Sequence, residues 1–507
     1  MDARAGDRVR ARSGIHAVMS FPIPDPPTQS FWDGSCALRE ILTRKLSPDA
    51  FARAEPQLRE MGDLAVRVVA PLAAIADRES PRLVSNRVEY HPSYREMERV
   101  AYGSGMVAMK YEAGGSHLLS FALGYLFAMA EMGLYCPVCM TDGVARVVTR
   151  YGSPEQVARV VPHMGSRDAA DRWTGAMFVT EKAGGSDVGT NQTIARNGRL
   201  TGLKWFCSNA DANAVLITAR PEGAAAGTKG LRTFLLLSRE GVQIERLKVK
   251  LGVRSMPTGE VRLTDAPAEE IGGFGAMLEM MNLSRLYNAV AAVAVIGRAI
   301  HEARYYIERR RAFGRPVIEH PLAAETLLDL EAKHLAAMLL TFETVDALDR
   351  ADAGDEESAR LQRALVPLVK AVTGKLAVPC VSEAMELIGG NAYIEESPLP
   401  RMLRDAQVLP IWEGTTNIMV LDALRVARKE GGHEIMLSRI RRHFPREAEE
   451  IGATFANLEE RGARGWVGRL AHAFEMTLLA EIGKTDVIER LLLFGEKKGR
   501  LSAAPFL

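Results

Sequence analysis

Cysteine is scarce, with five in 507 residues. That is too few for a disulfide framework and favours a reducing compartment. Net charge is almost absent: 64 Lys plus Arg stand against 63 Asp plus Glu, a balance of +1. Such a balance argues against a strongly basic nucleic-acid binder, an acidic tail or a disordered chain. No two of the ten histidines lie within four residues of each other, so a zincin-type helical pair is missing and no metal site is expected. A Gly-x-Gly-x-x-Gly turn after a strand and a Walker loop are both absent, which removes the main support for nicotinamide-binding and P-loop readings. The longest stretch without charge, 113–130, falls short of the roughly 20 apolar residues of a spanning helix and reads as a buried helix. Arg4, Arg8, Arg10 and Arg12 precede no apolar core, so a secretory signal is not supported. The expectation is a cytoplasmic protein with no membrane segment.

What is present falls into three textures. Residues 1–47, with Pro22, Pro24, Pro26 and Pro27, read as an extended arm. Residues 48–170 are helical, with amphipathic spacing from Arg59 to Val69 and a helix apolar on nearly all sides from Leu118 to Met132. Over 171–272 the chain turns to short β-rich runs (215–218, 233–237, 242–246 and 260–263) punctuated by glycines, which predicts a small antiparallel barrel or sandwich. Over 273–430 four long helical segments (283–309, 320–350, 357–388 and 413–429) imply a four-helix bundle. Residues 431–507 are helical, looser and more charged. The class is therefore α+β, in the order helix, strand, helix.

Several motifs stand on these elements. Cys136-Pro-Val-Cys139 lacks a βαβ context and a second cysteine pair, and reads as plain buried cysteines rather than a redox dithiol or zinc site. In Thr180-Glu-Lys-Ala-Gly-Gly-Ser-Asp187 two hydroxyls flank glycines where backbone amides can approach a phosphate or a flavin edge. In Lys204-Trp-Phe-Cys-Ser-Asn209 an aromatic side chain and a hydroxyl two residues apart share one face of a strand. Arg310-Arg-Ala-Phe-Gly314 follows a long helix, with Gly314 as its expected C-cap. Leu387-Ile-Gly-Gly-Asn391 interrupts the third bundle helix, and Ile411-Trp-Glu-Gly-Thr-Thr-Asn417 places a glutamate where the fourth begins.

Taken in order, residues 80 to 430 resemble the flavin-dependent acyl-CoA dehydrogenase family. The resemblance implies an N-terminal helical domain, a middle β-barrel and a C-terminal four-helix bundle, with FAD between barrel and bundle in a homotetramer or dimer. It places Met177, Val179, Thr180, Gly185, Ser186, Phe206 and Ser208 on the flavin. Arg310, Phe313, Glu386, Gly389 and Gly390 would hold the FAD of a neighbouring subunit. Ile411, Trp412, Gly414 and Thr415 would close over the ring, and Asn417 would sit near the phosphates. Ser186, Asn282 and Arg285 would meet substrate. Glu413 falls on the family's catalytic base, which removes the α-proton while hydride leaves the β-carbon. Relatives that carry the base on the first bundle helix find Ser284 there in this sequence.

The implied activity is α,β-dehydrogenation of an acyl-CoA or related thioester, with reoxidation by an electron-transfer flavoprotein. Lys182, Lys204-Trp-Phe206, Glu395-Glu-Ser-x-Leu-Pro-Arg401 and Pro321 lean toward the AidB-like branch. The alternative is therefore an alkylation-response flavoprotein that binds double-stranded DNA and has weak or vestigial dehydrogenase activity. From Arg425 onward 15 basic residues face 12 acidic ones. Glu447, Glu449 and Glu450 follow directly on the Arg439, Arg441, Arg442 and Arg446 cluster. DNA binding, which needs uncompensated positive charge, is not favoured.

Overall fold

The computed structural model describes residues 27–495 apart from 113. The expected extended arm lies outside these residues up to 26. From there it is helical, in Phe31–Gly34 and α1 (Cys36–Lys45). The proline cluster ends at Pro27, and beyond it Phe31, Trp32, Leu38, Ile41 and Leu42 repeat at helical spacing and are buried. A second helix, α2 (Pro48–Leu64), follows.

The helix expected from Leu118 to Met132 is two helices, α3 (His117–Ala128) and α4 (Met132–Tyr151). Glu131 makes the break. Its carboxylate caps α4 at Leu134 N (3.1 Å) and also receives the Ser255 hydroxyl (2.6 Å) and Arg401 (3.2 Å). Distant residues thus fix a boundary that local apolarity hides.

The middle region forms one eight-stranded sheet: β1 (Gly175–Phe178), β2 (Ile194–Arg196), β3 (Arg199–Ser208), β4 (Ala214–Pro221), β5 (Arg232–Leu236), β6 (Val242–Leu247), β7 (Thr258–Pro267) and β8 (Glu269–Gly273). The order is β8-β5-β4-β2-β3-β7-β6, with β1 on β4. Most pairs are antiparallel as expected, but β1 and β2 both run parallel to β4, so the sheet is mixed. Opposite β7 the register of β3 shifts between Lys204 and Cys207. Both of those side chains are buried, while Phe206 is left 56% exposed.

The bundle is α5 (Phe274–Arg309), α6 (Pro321–Asp352), α7 (Glu356–Ile388) and α8 (Thr416–Glu430). Helices α5 and α7 are long and apolar enough to cross a membrane, but 100% and 83% of their apolar windows are buried inside the protein, which marks them as core helices. Gly314 is not a helix cap. Helix α5 ends at Arg309, Arg310 N bonds Tyr306 O (2.8 Å), and Phe313 and Gly314 take positive φ (50° and 86°) at the tip of a short hairpin.

The extension adds α9 (Gly432–His443), α10 (Pro445–Ala456), α11 (Glu460–Glu481) and α12 (Thr485–Gly495). Glu343 of α6 joins three regions: it accepts from Lys45 of α1 (2.7 Å) and from Arg439 of α9 (2.6 Å). Arg439 also reaches Glu481 of α11 (2.6 Å).

A buried ionic cluster ties α4 to α5. Lys110 pairs with Asp142, Tyr287 lies 2.8 Å from the lysine and 2.9 Å from the carboxylate, and Tyr111 donates to Asp142 at 2.8 Å. A hydrogen bond to a buried charge contributes about 1.5–3 kcal/mol. Tyr111→Phe is expected to cost that much, read as a lower denaturant midpoint at unchanged slope; an unmoved midpoint would show that the cluster closes up without Tyr111.

Candidate active site

The turn from 409 to 415 carries the expected base, and it has to be held. Glu413 sits at φ 58° and Gly414 at φ 101°. The left-handed region is unfavourable for a glutamate and persists only where the surroundings impose it. Three side chains of α5 and α7 do so. Arg285 donates to Glu413 O (3.2 Å), and Lys370 donates to Gly414 O. Asn288 accepts from Trp412 Nε1 (2.8 Å) and donates to Leu409 O (3.1 Å). Helix α8 starts at Thr416, three residues later than expected, because Glu413 and Gly414 take left-handed backbone angles that no helix accommodates.

The Glu413 side chain is half-buried. Burial pushes its pKa above the ordinary carboxylate value, against the opposing pull of the Ser284 hydroxyl and the Arg285 and Lys370 cations. Ser284 makes no well-formed hydrogen bond of its own, so its hydroxyl is free to face the carboxylate. Arg285 is engaged: it donates to Asn282 Oδ1 (3.0 Å) and pairs with Asp422 (2.9 Å), which also holds Arg363 (2.6 Å). Asn282 and Arg285, expected at the substrate, are bonded to each other and buttress the base's turn.

The other wall comes from the sheet. Trp205 N bonds Thr180 O (2.9 Å), so the 180–187 loop and β3 lie side by side. Beneath them Glu181 and Lys204 form a buried ion pair (2.6 Å). Glu181 also accepts from Gln192 N (2.6 Å) and from the Thr193 hydroxyl (2.6 Å). This pair locks the 180–187 loop to β3. Thr180 and Met177 are half-buried, Val179 is buried, and Gly185 and Ser186 are exposed at the loop tip. Cys136 of α4 joins the walls, because its thiol neighbours both the Ser208 hydroxyl and Glu413, and burial pushes its pKa up to about 12. Cys136 is a free thiol, as is Cys139.

A second group of motif residues gathers elsewhere. Gly389 ends α7 at φ 84°, and Asn391 donates to Tyr306 (2.6 Å), which ties the 387–391 break to the C-terminal end of α5 beside Arg310. Phe313, Glu386, Gly389 and Gly390 are exposed. Ile388 lies 18 residues beyond Lys370, about 27 Å along a straight helix at 1.5 Å per residue. Ile411, Thr415 and Asn417 are also exposed, the last touched by Arg464 (3.5 Å). Cys136 and Cys139, expected as plain buried cysteines, are free thiols, but only Cys139 is fully buried and Cys136 is half-buried. Sequence reasoning missed Lys370, whose signal is a single charge in the apolar run 364–372.

Comparison with known proteins gives a consistent picture. The model of the acyl-CoA dehydrogenase C-terminal domain matches residues 272–427, that of the middle domain matches 176–266, and that of the adaptive response protein AidB N-terminal domain matches 25–169. Acyl-CoA dehydrogenase family member 11 of Caenorhabditis elegans is 36% identical over 426 residues, covering 77% of this chain and 69% of the relative. The putative acyl-CoA dehydrogenase AidB of Escherichia coli K12 is 32% identical, covering 83% and 82%. The crystal structure of Caenorhabditis elegans ACDH-11 in complex with C11-CoA superimposes with a TM-score of 0.84 at 30% identity, over 93% of this chain and 92% of that one.

Proposed function

Because the chain belongs to the acyl-CoA dehydrogenase family, on its AidB-like side, we propose that it oxidises an acyl thioester at the α,β bond with Glu413 as the base. The enzyme class follows from the family, whose members are FAD flavoproteins. One observation carries the finer reading: Glu413 is held in a strained turn, poorly solvated, beside the Cys136 and Ser208 end of the wall that bears Phe206.

The residues present fit a flavin. Phe206 offers an aromatic ring (56% exposed), with the Lys248 ammonium 4.8 Å from its centroid, on the strand that ends in the Ser208 hydroxyl, and the Thr180 loop runs alongside it. A planar ring with a polar edge suits that surface. When bound, FAD supplies the hydride acceptor for the β-carbon. Met177, Val179, Thr180, Gly185, Ser186, Phe206 and Ser208 would hold the ring. Arg310, Phe313, Glu386, Gly389 and Gly390 stand too far along the bundle for that same ring, which supports their serving the cofactor of a neighbouring subunit in a dimer or tetramer.

The protein's own part is proton removal and charge placement. Glu413 takes the α-proton, and its poor solvation makes it a stronger base toward a weak carbon acid. Its own N–H has no acceptor among the described residues and is open to the thioester oxygen, where charge develops. Ser186 would meet the substrate at the mouth, and an electron-transfer flavoprotein would take the electrons onward.

A duplex-binding reading would draw on the extension's arginines. Arg439 is engaged by Glu343 and Glu481, Arg446 by Glu450, and Arg469 by Glu447 and Glu450. Arg441 and Arg442 are exposed with no ion pair among the described residues, but two arginines beside Glu447, Glu449 and Glu450 are little uncompensated charge for a duplex, so this reading is not adopted. The test is to mix the flavin-loaded protein anaerobically with straight, branched and aromatic acyl-CoAs and follow flavin absorbance. One class should bleach it at a rate that a stopped-flow instrument resolves, about 1–10³ s⁻¹. Bound flavin that no acyl-CoA reduces would overturn the proposal.

A further inference from the structure

Lys370 lies midway along α7 with none of its surface exposed, among Val366, Val369 and Val372. Its ammonium donates to the Gly414 carbonyl, and no carboxylate among the described residues stands within ion-pair distance. A lysine buried in this way must have a counterpart.

The charges packed around it identify that counterpart. From α5 comes Arg285, a like charge. From α8 comes Asp422, already bound by Arg285, Arg363 and Arg425. The turn contributes Glu413. Burial lowers the pKa of Lys370 to about 7, with Glu413 acting in the opposite direction and Arg285 reinforcing the fall. Glu413 is therefore the carboxylate left to balance it.

We propose that Lys370 is a positioning residue for the base: it fixes the left-handed Glu413–Gly414 turn through the Gly414 carbonyl and supplies the countercharge that keeps Glu413 ionised until it takes the α-proton. The two roles separate chemically. A neutral lysine still donates an N–H to Gly414 O, whereas only the ammonium lowers the pKa of the neighbouring carboxylate. Lys370 is fully buried and its ammonium is spent on the Gly414 carbonyl, so its effect should fall on the proton-transfer step and not on thioester binding. The inference rests on the reading of Glu413 given above.

The experiment is anaerobic flavin reduction by the best acyl-CoA, followed across pH in the flavin-loaded Lys370→Met, Lys370→Arg and Glu413→Gln proteins. Removing the cation raises the pKa of Glu413. Lys370→Met should therefore move the acid limb of the rate upward by about one pH unit or more. Its plateau rate should fall by up to about 100-fold from the loosened turn, with the dissociation constant of the acyl-CoA little changed. Lys370→Arg keeps the charge and should keep the acid limb near its original position; if the methionine variant fails to retain flavin, a conserved limb in the arginine variant still supports the countercharge role. An unmoved limb and normal plateau in Lys370→Met overturn the inference. If Glu413→Gln itself reduces at the normal rate, the base assignment falls instead, and the inference with it.

Discussion

Glu413→Gln is expected to slow flavin reduction by every acyl thioester by about 10²–10⁴-fold, the usual contribution of a positioned general base. The amide has nearly the shape of the carboxylate but cannot accept the α-proton. The clamps on the turn act on backbone and on Trp412: Arg285 on Glu413 O, Lys370 on Gly414 O, Asn288 on Trp412. None depends on the carboxylate, so the turn should keep its shape; Lys370 loses its countercharge and stays buried as the neutral amine, which still donates to Gly414 O. The pH dependence of the native enzyme has a definite sign. The base works only when ionised, and burial raises its pKa above the ordinary carboxylate value. The rate should therefore rise with pH through that raised value and drop as pH falls below it. Stopped-flow traces of the native and Gln proteins settle the matter. Comparable rates in the two would remove Glu413 from the mechanism.

The second large effect is expected behind the 180–187 loop. Lys204→Met leaves Glu181 without its cation in a site where the lysine is fully buried. Breaking one side of a buried ion pair typically costs about 3–5 kcal/mol. Gln192 N and the backbone and hydroxyl of Thr193 still donate to Glu181, which places the expectation near the lower end of that range. The consequence reaches further than stability. The pair joins the strand bearing Phe206 to the loop bearing Thr180 and Ser186, so the variant should purify with much less flavin. A flavin-to-protein ratio equal to that of the native protein, with an unchanged melting profile, would show that the pair is dispensable.

Much of this architecture was readable before any coordinates. The helix–strand–helix order and the bundle spans follow from periodicity, because helices as long as α5, α6 and α7 must repeat their apolar positions every 3.6 residues to be buried. The break before Met132 was hidden, since the capping carboxylate of Glu131 is held by Ser255 and Arg401 from far along the chain. The parallel pairings of β1 and β2 were hidden as well: strand direction depends on where the connecting chain crosses, and side-chain alternation is the same either way. At the site, the motifs name Glu413, Phe206 and the 180–187 loop, and name Cys136 only as a plain cysteine. They do not carry the meaning of Lys370, which depends on how α7 is brought to the Glu413–Gly414 turn.

The junction at Glu343 bears on how the molecule comes apart. One carboxylate receives the first described long helix through Lys45 and the extension through Arg439, while belonging to the bundle itself. A region that frays must leave a buried anion with fewer partners, so loss of either flank raises the energy of what remains. The N-terminal helix, the bundle and the extension are thereby expected to melt together, with the C-terminal helices acting as a clasp on the bundle.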